Sequence, residues 1–221
     1  MYAAIDDSIS MVQITNPNNP TGLLVDPVKM RDFCLKASKK AIVLADEAYN
    51  ELTDMPEANS MVSLVKEGHN VIVARTFSKI YGMAGLRVGY LIAPPQLIEA
   101  MSVYSMGWYG LNQAGLAAAI ASYEDTAFMD MSRGKVREAR EMVADAVKAN
   151  GLTALPSQTN FMFVDLGDIN AEDFRAAMAE HKVHIRGIYR DYTNWSRVSM
   201  GKLEDVQMYV DALPKVLDKV S

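Results

Sequence analysis

Three short apolar runs, residues 11–15, 41–45 and 71–74, dominate the first part of the chain, and each closes on a cluster of polar or turn-forming residues. Between them lie segments with helical spacing. Pro27 suits the first position of a helix running to about residue 39, with Met30, Phe33, Cys34 and Ala37 at i, i+3, i+4 and i+7. Residues 61–66 form a second, shorter helix. Apolar strands alternating with helices predict an α/β fold, a mostly parallel sheet with helices on both faces. Ligands of such sheets gather beyond the carboxyl ends of the strands. Asn19, Asp46 and Lys79 each follow one of the three runs.

The rest of the chain continues and then breaks this pattern. A further strand is expected over 88–93 and a helix over 95–103. From Asn112 the character changes: an alanine-rich helix to Tyr123, then a long charged helix over 126–149, with Thr126 as cap and Gly151 as stop. Strands follow at 161–166, 183–186 and 197–200, and a helix at 171–181. Leu203, Val206, Tyr209, Val210, Leu213, Val216 and Leu217 stripe a terminal helix. Residues 1–123 therefore read as one domain and 124–221 as a smaller α+β domain. Residues 1–10 read as the end of a helix entering the first strand, as if the domain began in mid-unit.

Composition narrows the function. The net charge of −5 offers no basic face for nucleic acid. No apolar stretch approaches the roughly 18 residues of a membrane span, so neither nucleic acid nor membrane is an expected partner. The single cysteine, Cys34, excludes an internal disulfide framework and a cysteine-based zinc site. His69, His181 and His184 lack metal-ligand spacing. The absence of a leader pattern and the cysteine count suit a cytoplasmic protein.

The chemistry concentrates in residues 76–90, TFSKIYGMAGLRVGY. Lys79 follows the hydroxyls Thr76 and Ser78, and Gly82, Gly85 and Gly89 surround a second cation, Arg87. A lysine amine bonds to aldehyde carbons, and arginine suits phosphate. Asp46 ends an apolar run, where a buried carboxylate needs a partner; a ring nitrogen is one. Tyr49 and Asn19 are candidate donors to a ring oxygen.

Three segments, NPNNPTG, ADEAYNEL and TFSKIYGMAGLRVGY, in this order and spacing resemble those of fold-type I aminotransferases dependent on pyridoxal 5′-phosphate. Within class I/II the chain most resembles the histidinol-phosphate aminotransferase branch, and TNFMFVDL and SRVSMG resemble segments of the family's small domain. The resemblance implies that Lys79 bonds to the cofactor, that Asp46 faces its ring nitrogen, and that Asn19 and Tyr49 hold its ring oxygen. Thr76, Ser78 and Arg87 match the phosphate-binding positions. Asn160 and Arg197 match substrate-facing positions, Arg197 as the clamp on the α-carboxylate, and Arg186 lies where relatives often carry another substrate-side arginine. Residues 1–123 then correspond to the carboxyl-terminal part of the cofactor-binding large domain. The partners implied are amino-acid and 2-oxo-acid substrates and a second copy in a homodimer.

Two departures qualify the expectation. The family's N-terminal arm, glycine-rich turn and stacking aromatic have no counterpart here, which predicts a weakened or inactive site in this polypeptide alone. Tyr189, Tyr192 and Trp195 before the last strand differ from the usual histidinol-phosphate pattern. Other cofactor chemistry of the same fold, decarboxylation or carbon–sulfur lysis, and an effector domain of an aminotransferase-like transcription regulator, are the alternative readings.

Overall fold

The computed structural model describes residues 1–220. The chain divides into two compact units: residues 1–17 with 25–130, and residues 18–24 with the chain from Met131 onward.

The first unit is built on a four-stranded sheet, β1 (Met11–Thr15), β2 (Ile42–Asp46), β3 (Val71–Thr76) and β4 (Gly89–Ile92), in that spatial order. The first three strands are parallel, with Thr15 level with Asp46 and Asp46 level with Ala74, so their carboxyl ends align. β4 runs antiparallel to β3, closed by the Phe77 N–H donating to the Val88 carbonyl at 3.1 Å. A parallel return needs a crossover long enough to carry a helix; only a 3-10 turn, Ala84–Leu86, lies between these strands. Helix α1 (Pro27–Ala37) starts where the Asp26 side chain accepts the Lys29 N–H at 3.0 Å, with proline at the first helical position. Its Met30, Cys34 and Ala37 pack on Val43, Ala45, Val71 and Val73 of the sheet. Cys34 is fully buried, and that burial pushes its thiol up to about 12. Short helices α2 (Pro56–Asn59) and α3 (Val62–Lys66) precede β3, and Leu64 of α3 joins the same core. Helices α4 (Pro95–Ser102) and α5 (Gln113–Tyr123) complete this unit, together with the start of α6 (Thr126–Ala149).

The second unit has an antiparallel sheet ordered β5 (Thr153–Ala154), β6 (Phe161–Asp165), β7 (Trp195–Ser199). One face, with Met162 and Val164, packs on Val143 and Val147 of α6, on Phe174 and Met178 of α7 (Ala171–Glu180), and on Tyr209 and Leu213 of α8 (Leu203–Val220). The Asn170 side chain caps α7 by accepting the Glu172 N–H at 2.8 Å. The loop of residues 18–24 belongs to this unit, and the Gln158 N–H donates to the Gly22 carbonyl at 3.0 Å. Gly22 has φ +73°, and a Cβ there would lie 2.7 Å from the Ser157 Cβ, so only glycine fits.

Three local expectations are corrected. Residues 1–10 hold a single 3-10 turn, Tyr2–Ala4, rather than a helix end running into β1. The cap of α6 is Asp125, whose carboxylate, one residue upstream of Thr126, accepts the Phe128 N–H at 2.9 Å. Residues 183–186 form no strand. The Val183 N–H is taken by the Met178 carbonyl at the end of α7, after Lys182 in the left-handed region at φ 63°, and one isolated bridge, Arg186 to Arg197, remains. Among the described residues no helix is long and apolar enough to cross a membrane, and no His/Cys/Asp/Glu group is arranged to hold a metal.

Candidate functional site

The aligned carboxyl ends of β1, β2 and β3 gather most of the polar residues singled out above. Asp46 is the last residue of β2, and its Oδ1 accepts the Ala48 N–H at 3.1 Å, turning the chain as it leaves the sheet. Backbone bonds fix this corner from both sides: the Asn16 N–H donates to the Asp46 carbonyl, and the Glu47 N–H to the Ala74 carbonyl, both at 2.9 Å. Tyr49 follows, 6% exposed.

The neighbouring strand end supplies the amine. Thr76 closes β3, and its Oγ1 accepts the Ser78 N–H at 3.0 Å. The backbone then coils tightly: the Gly82 N–H reaches the Lys79 carbonyl at 2.9 Å, with Gly82 at φ +71°. Lys79 Nζ comes to 4.9 Å from the centroid of the Tyr49 ring, a cation–π distance. Asp46, Tyr49, Thr76, Ser78 and Lys79 thus share one end of one sheet. Beneath them Phe77 packs on Tyr81 and Tyr90, with centroids at 4.7 and 5.7 Å, and burial pushes the Tyr81 phenol up to about 12. Arg87 is exposed, in the left-handed region at φ 54°, and its Nη1 donates to the Ala84 carbonyl at 2.9 Å.

The other candidates lie in the second unit. Arg197, on β7, donates from Nη1 to Asn19 Oδ1 at 2.8 Å, and its guanidinium lies 5.0 Å from the Phe161 ring centroid. Its Nε is buried and has no hydrogen-bond partner among the described residues. The Asn160 carbonyl accepts the Met200 N–H at 2.8 Å, which places Asn160 at the start of β6 beside the end of β7. Arg186 is exposed and stacks over Tyr189 at 4.9 Å. Tyr192 and Trp195 pack on Phe163, edge-on at 5.4 Å and stacked at 5.0 Å. Their aromatic character therefore serves the small sheet.

Sequence reasoning left one pair unassigned. Glu47, 1% exposed, meets Arg75 of β3 with Nη2–Oε2 at 2.9 Å and Nε–Oε2 at 3.2 Å. The signal was present: a charged residue next to Asp46, and a cation inside the otherwise apolar β3.

The donor set fits a phosphorylated pyridine aldehyde. It offers an amine for the aldehyde, a carboxylate for the ring nitrogen and hydroxyls for the phosphate, while the Arg87 guanidinium rests on the Ala84 carbonyl. Within the second unit, the buried Nε of Arg197 has capacity for an anionic ligand.

Comparison with known proteins agrees with this chemistry. The family described as aminotransferase class I and II matches residues 1–213. A histidinol-phosphate aminotransferase of Cupriavidus pinatubonensis is 34% identical over 220 residues, covering 98% of this chain and 58% of the relative. An aromatic amino acid aminotransferase of Mycolicibacterium smegmatis is 35% identical over 211 residues, covering 96% of this chain and 57% of that protein. The crystal structure of histidinol-phosphate aminotransferase from Sinorhizobium meliloti in complex with pyridoxal-5′-phosphate superposes with a TM-score of 0.84. It is 30% identical, with 95% of this chain and 57% of that one covered. The chain thus spans somewhat over half the length of these relatives.

Proposed function

Since this chain belongs to the class I and II aminotransferase family, we propose that it transfers an amino group between amino-acid and 2-oxo-acid substrates at a pyridoxal 5′-phosphate bonded to Lys79. The observation that carries the proposal is the convergence of Asp46, Tyr49, Thr76, Ser78 and Lys79 at one end of the first unit's sheet. When bound, the cofactor supplies an electron sink for charge developing at the substrate α-carbon.

The residues divide the remaining work. Lys79 would hold the cofactor through its amine and would serve as the base at the substrate α-carbon. Asp46, whose Oδ1 accepts the Ala48 N–H, would face the ring nitrogen and favour its protonated form. The Tyr49 hydroxyl and the Asn19 amide serve the ring oxygen. Thr76, Ser78 and Arg87 neutralise and orient the phosphate. Arg197 clamps the substrate carboxylate, with Asn19 steadying one of its nitrogens and Nε in reserve, while Asn160 and Arg186 face the substrate.

Within this class we assign the amino donor to an amino-alcohol phosphate of the histidinol-phosphate kind, because histidinol-phosphate aminotransferases recur among the relatives at 32–34% identity; the aromatic amino acid aminotransferase, at 35%, supports an amino-acid donor as the second reading. We extend the proposal to a homodimer in the cytoplasm; the exposed apolar side chains of Val103, Tyr104 and Tyr109 in the first unit support a covered face. An absorbance titration with pyridoxal phosphate tests the reading. The chain should develop a lysine-dependent visible band that Lys79→Ala abolishes, together with whatever turnover the parent shows, while the melting temperature stays within about 5 °C. An unchanged band or unchanged turnover in Lys79→Ala contradicts it.

A further inference from the structure

We propose that Glu47 and Arg75 form a positioning clamp that holds the Asp46–Tyr49 turn in register with the Thr76–Lys79 segment. This inference rests on the reading of that sheet end as the cofactor site. Neither residue is offered as touching the cofactor. They act through the segments they join.

The Glu47 carboxylate is completely committed. Its Oε1 accepts the Met61 N–H at 2.6 Å, and its Oε2 accepts Ser60 Oγ at 2.9 Å as well as the two Arg75 nitrogens. Arg75 Nη2 also donates to Ser60 Oγ at 2.8 Å, and Nη1 lies 3.5 Å from Glu51. Three stretches of chain meet in this one network: the turn after β2, the start of α3 and the end of β3. Glu47 lies between Asp46 and Tyr49 in sequence, and Arg75 lies directly before Thr76. Successive strand residues point to opposite faces, so the guanidinium of Arg75 and the hydroxyl of Thr76 leave β3 on opposite sides. A change at the clamp therefore reaches the site through the backbone.

Stability alone is a weak reason for this arrangement. Desolvating two charges offsets most of their attraction, and well-packed apolar residues of similar volume do as well or better. Earlier along the same face of the sheet, Val43 and Ala45 sit beside Val71 and Val73 with no charge among them, so apolar packing alone holds this face of the strands until the clamp at their carboxyl ends. What an ion pair with a forked guanidinium adds is direction. It fixes the angle and register of two strand ends more narrowly than apolar contact does.

The double variant Glu47→Leu/Arg75→Met removes both charges of the pair and with them the acceptor of the Met61 N–H and the cation beside Glu51; Glu47→Gln removes one charge and keeps an acceptor oxygen. Hydrogen–deuterium exchange on the cofactor-free chain reads local order, and a pyridoxal phosphate titration of the same proteins reads cofactor affinity. Glu47→Gln should melt within about 5 °C of the parent and the double variant within about 10 °C. In the double variant exchange should quicken in residues 46–51 and 76–79 and not in α7 or α8, and its cofactor dissociation constant should rise by about tenfold to a hundredfold. Glu47→Gln should show the same local pattern. Unchanged exchange in those segments overturns the clamp, and so does quickened exchange with unchanged affinity. A parent chain that takes up no cofactor contradicts the reading of the site instead, and the exchange result then decides the clamp by itself.

Discussion

The two units treat their central charged groups in opposite ways. In the first, the Glu47 carboxylate is satisfied on both oxygens by Met61, Ser60 and Arg75. In the second, among the described residues, the Arg197 guanidinium has one oxygen partner, Asn19, a ring beneath it, and a buried Nε with none. A saturated charge holds its own protein together, whereas an unsaturated one has hydrogen-bonding capacity for something that arrives. The first unit thus presents a pre-set frame around Lys79, and the second presents an arginine with hydrogen-bonding capacity its own fold does not use.

Variants of the second unit can break or sharpen this contrast. The largest effect is expected from Arg197→Lys. A lysine keeps the charge and loses the planar fork, so affinity for a 2-oxo acid should fall about 30-fold, or roughly 2 kcal/mol, by calorimetry on the cofactor-loaded chain. Cofactor uptake itself should be unchanged. Equal affinity for the oxo acid would mean that the open Nε is only a packing consequence. Next is Gly22→Ala, which forces a side chain into the left-handed region and against Ser157. It should destabilise the second unit by about 1–2 kcal/mol in urea unfolding. An unaltered midpoint would show that the 18–24 loop is looser than its contacts. The smallest effect is expected from Asn170→Ala, which deletes the α7 cap and should cost about 1 kcal/mol with no change at Lys79.

Much of the scaffold was legible because it depends on local pattern. The apolar run ending at Asp46 and the Pro27 start of α1 declare themselves in sequence, and both stand where expected within a residue or two. The strand expected over 183–186 failed because helix termination competes for the same N–H groups. The cap of α6 fell one residue early because aspartate and threonine were adjacent candidates, and only geometry shows which reaches Phe128. For the candidate site, the motif residues could be named from their spacing, but not their bonding partners. The Asn19–Arg197 bond joins residues at opposite ends of the sequence, and the Glu47–Arg75 pair becomes meaningful only once β2 and β3 are neighbours. Arg87 shows the converse: its sequence setting suggests an anion, and its side chain rests on its own Ala84 carbonyl.

The central claim is that Lys79 is the covalent anchor of a phosphorylated aldehyde cofactor. Borohydride reduction of the chain after exposure to pyridoxal phosphate, followed by digestion and peptide mass spectrometry, tests it most directly. One cofactor per chain is expected, fixed on the peptide that carries Lys79. Label scattered over surface lysines, or none on that peptide, would contradict it.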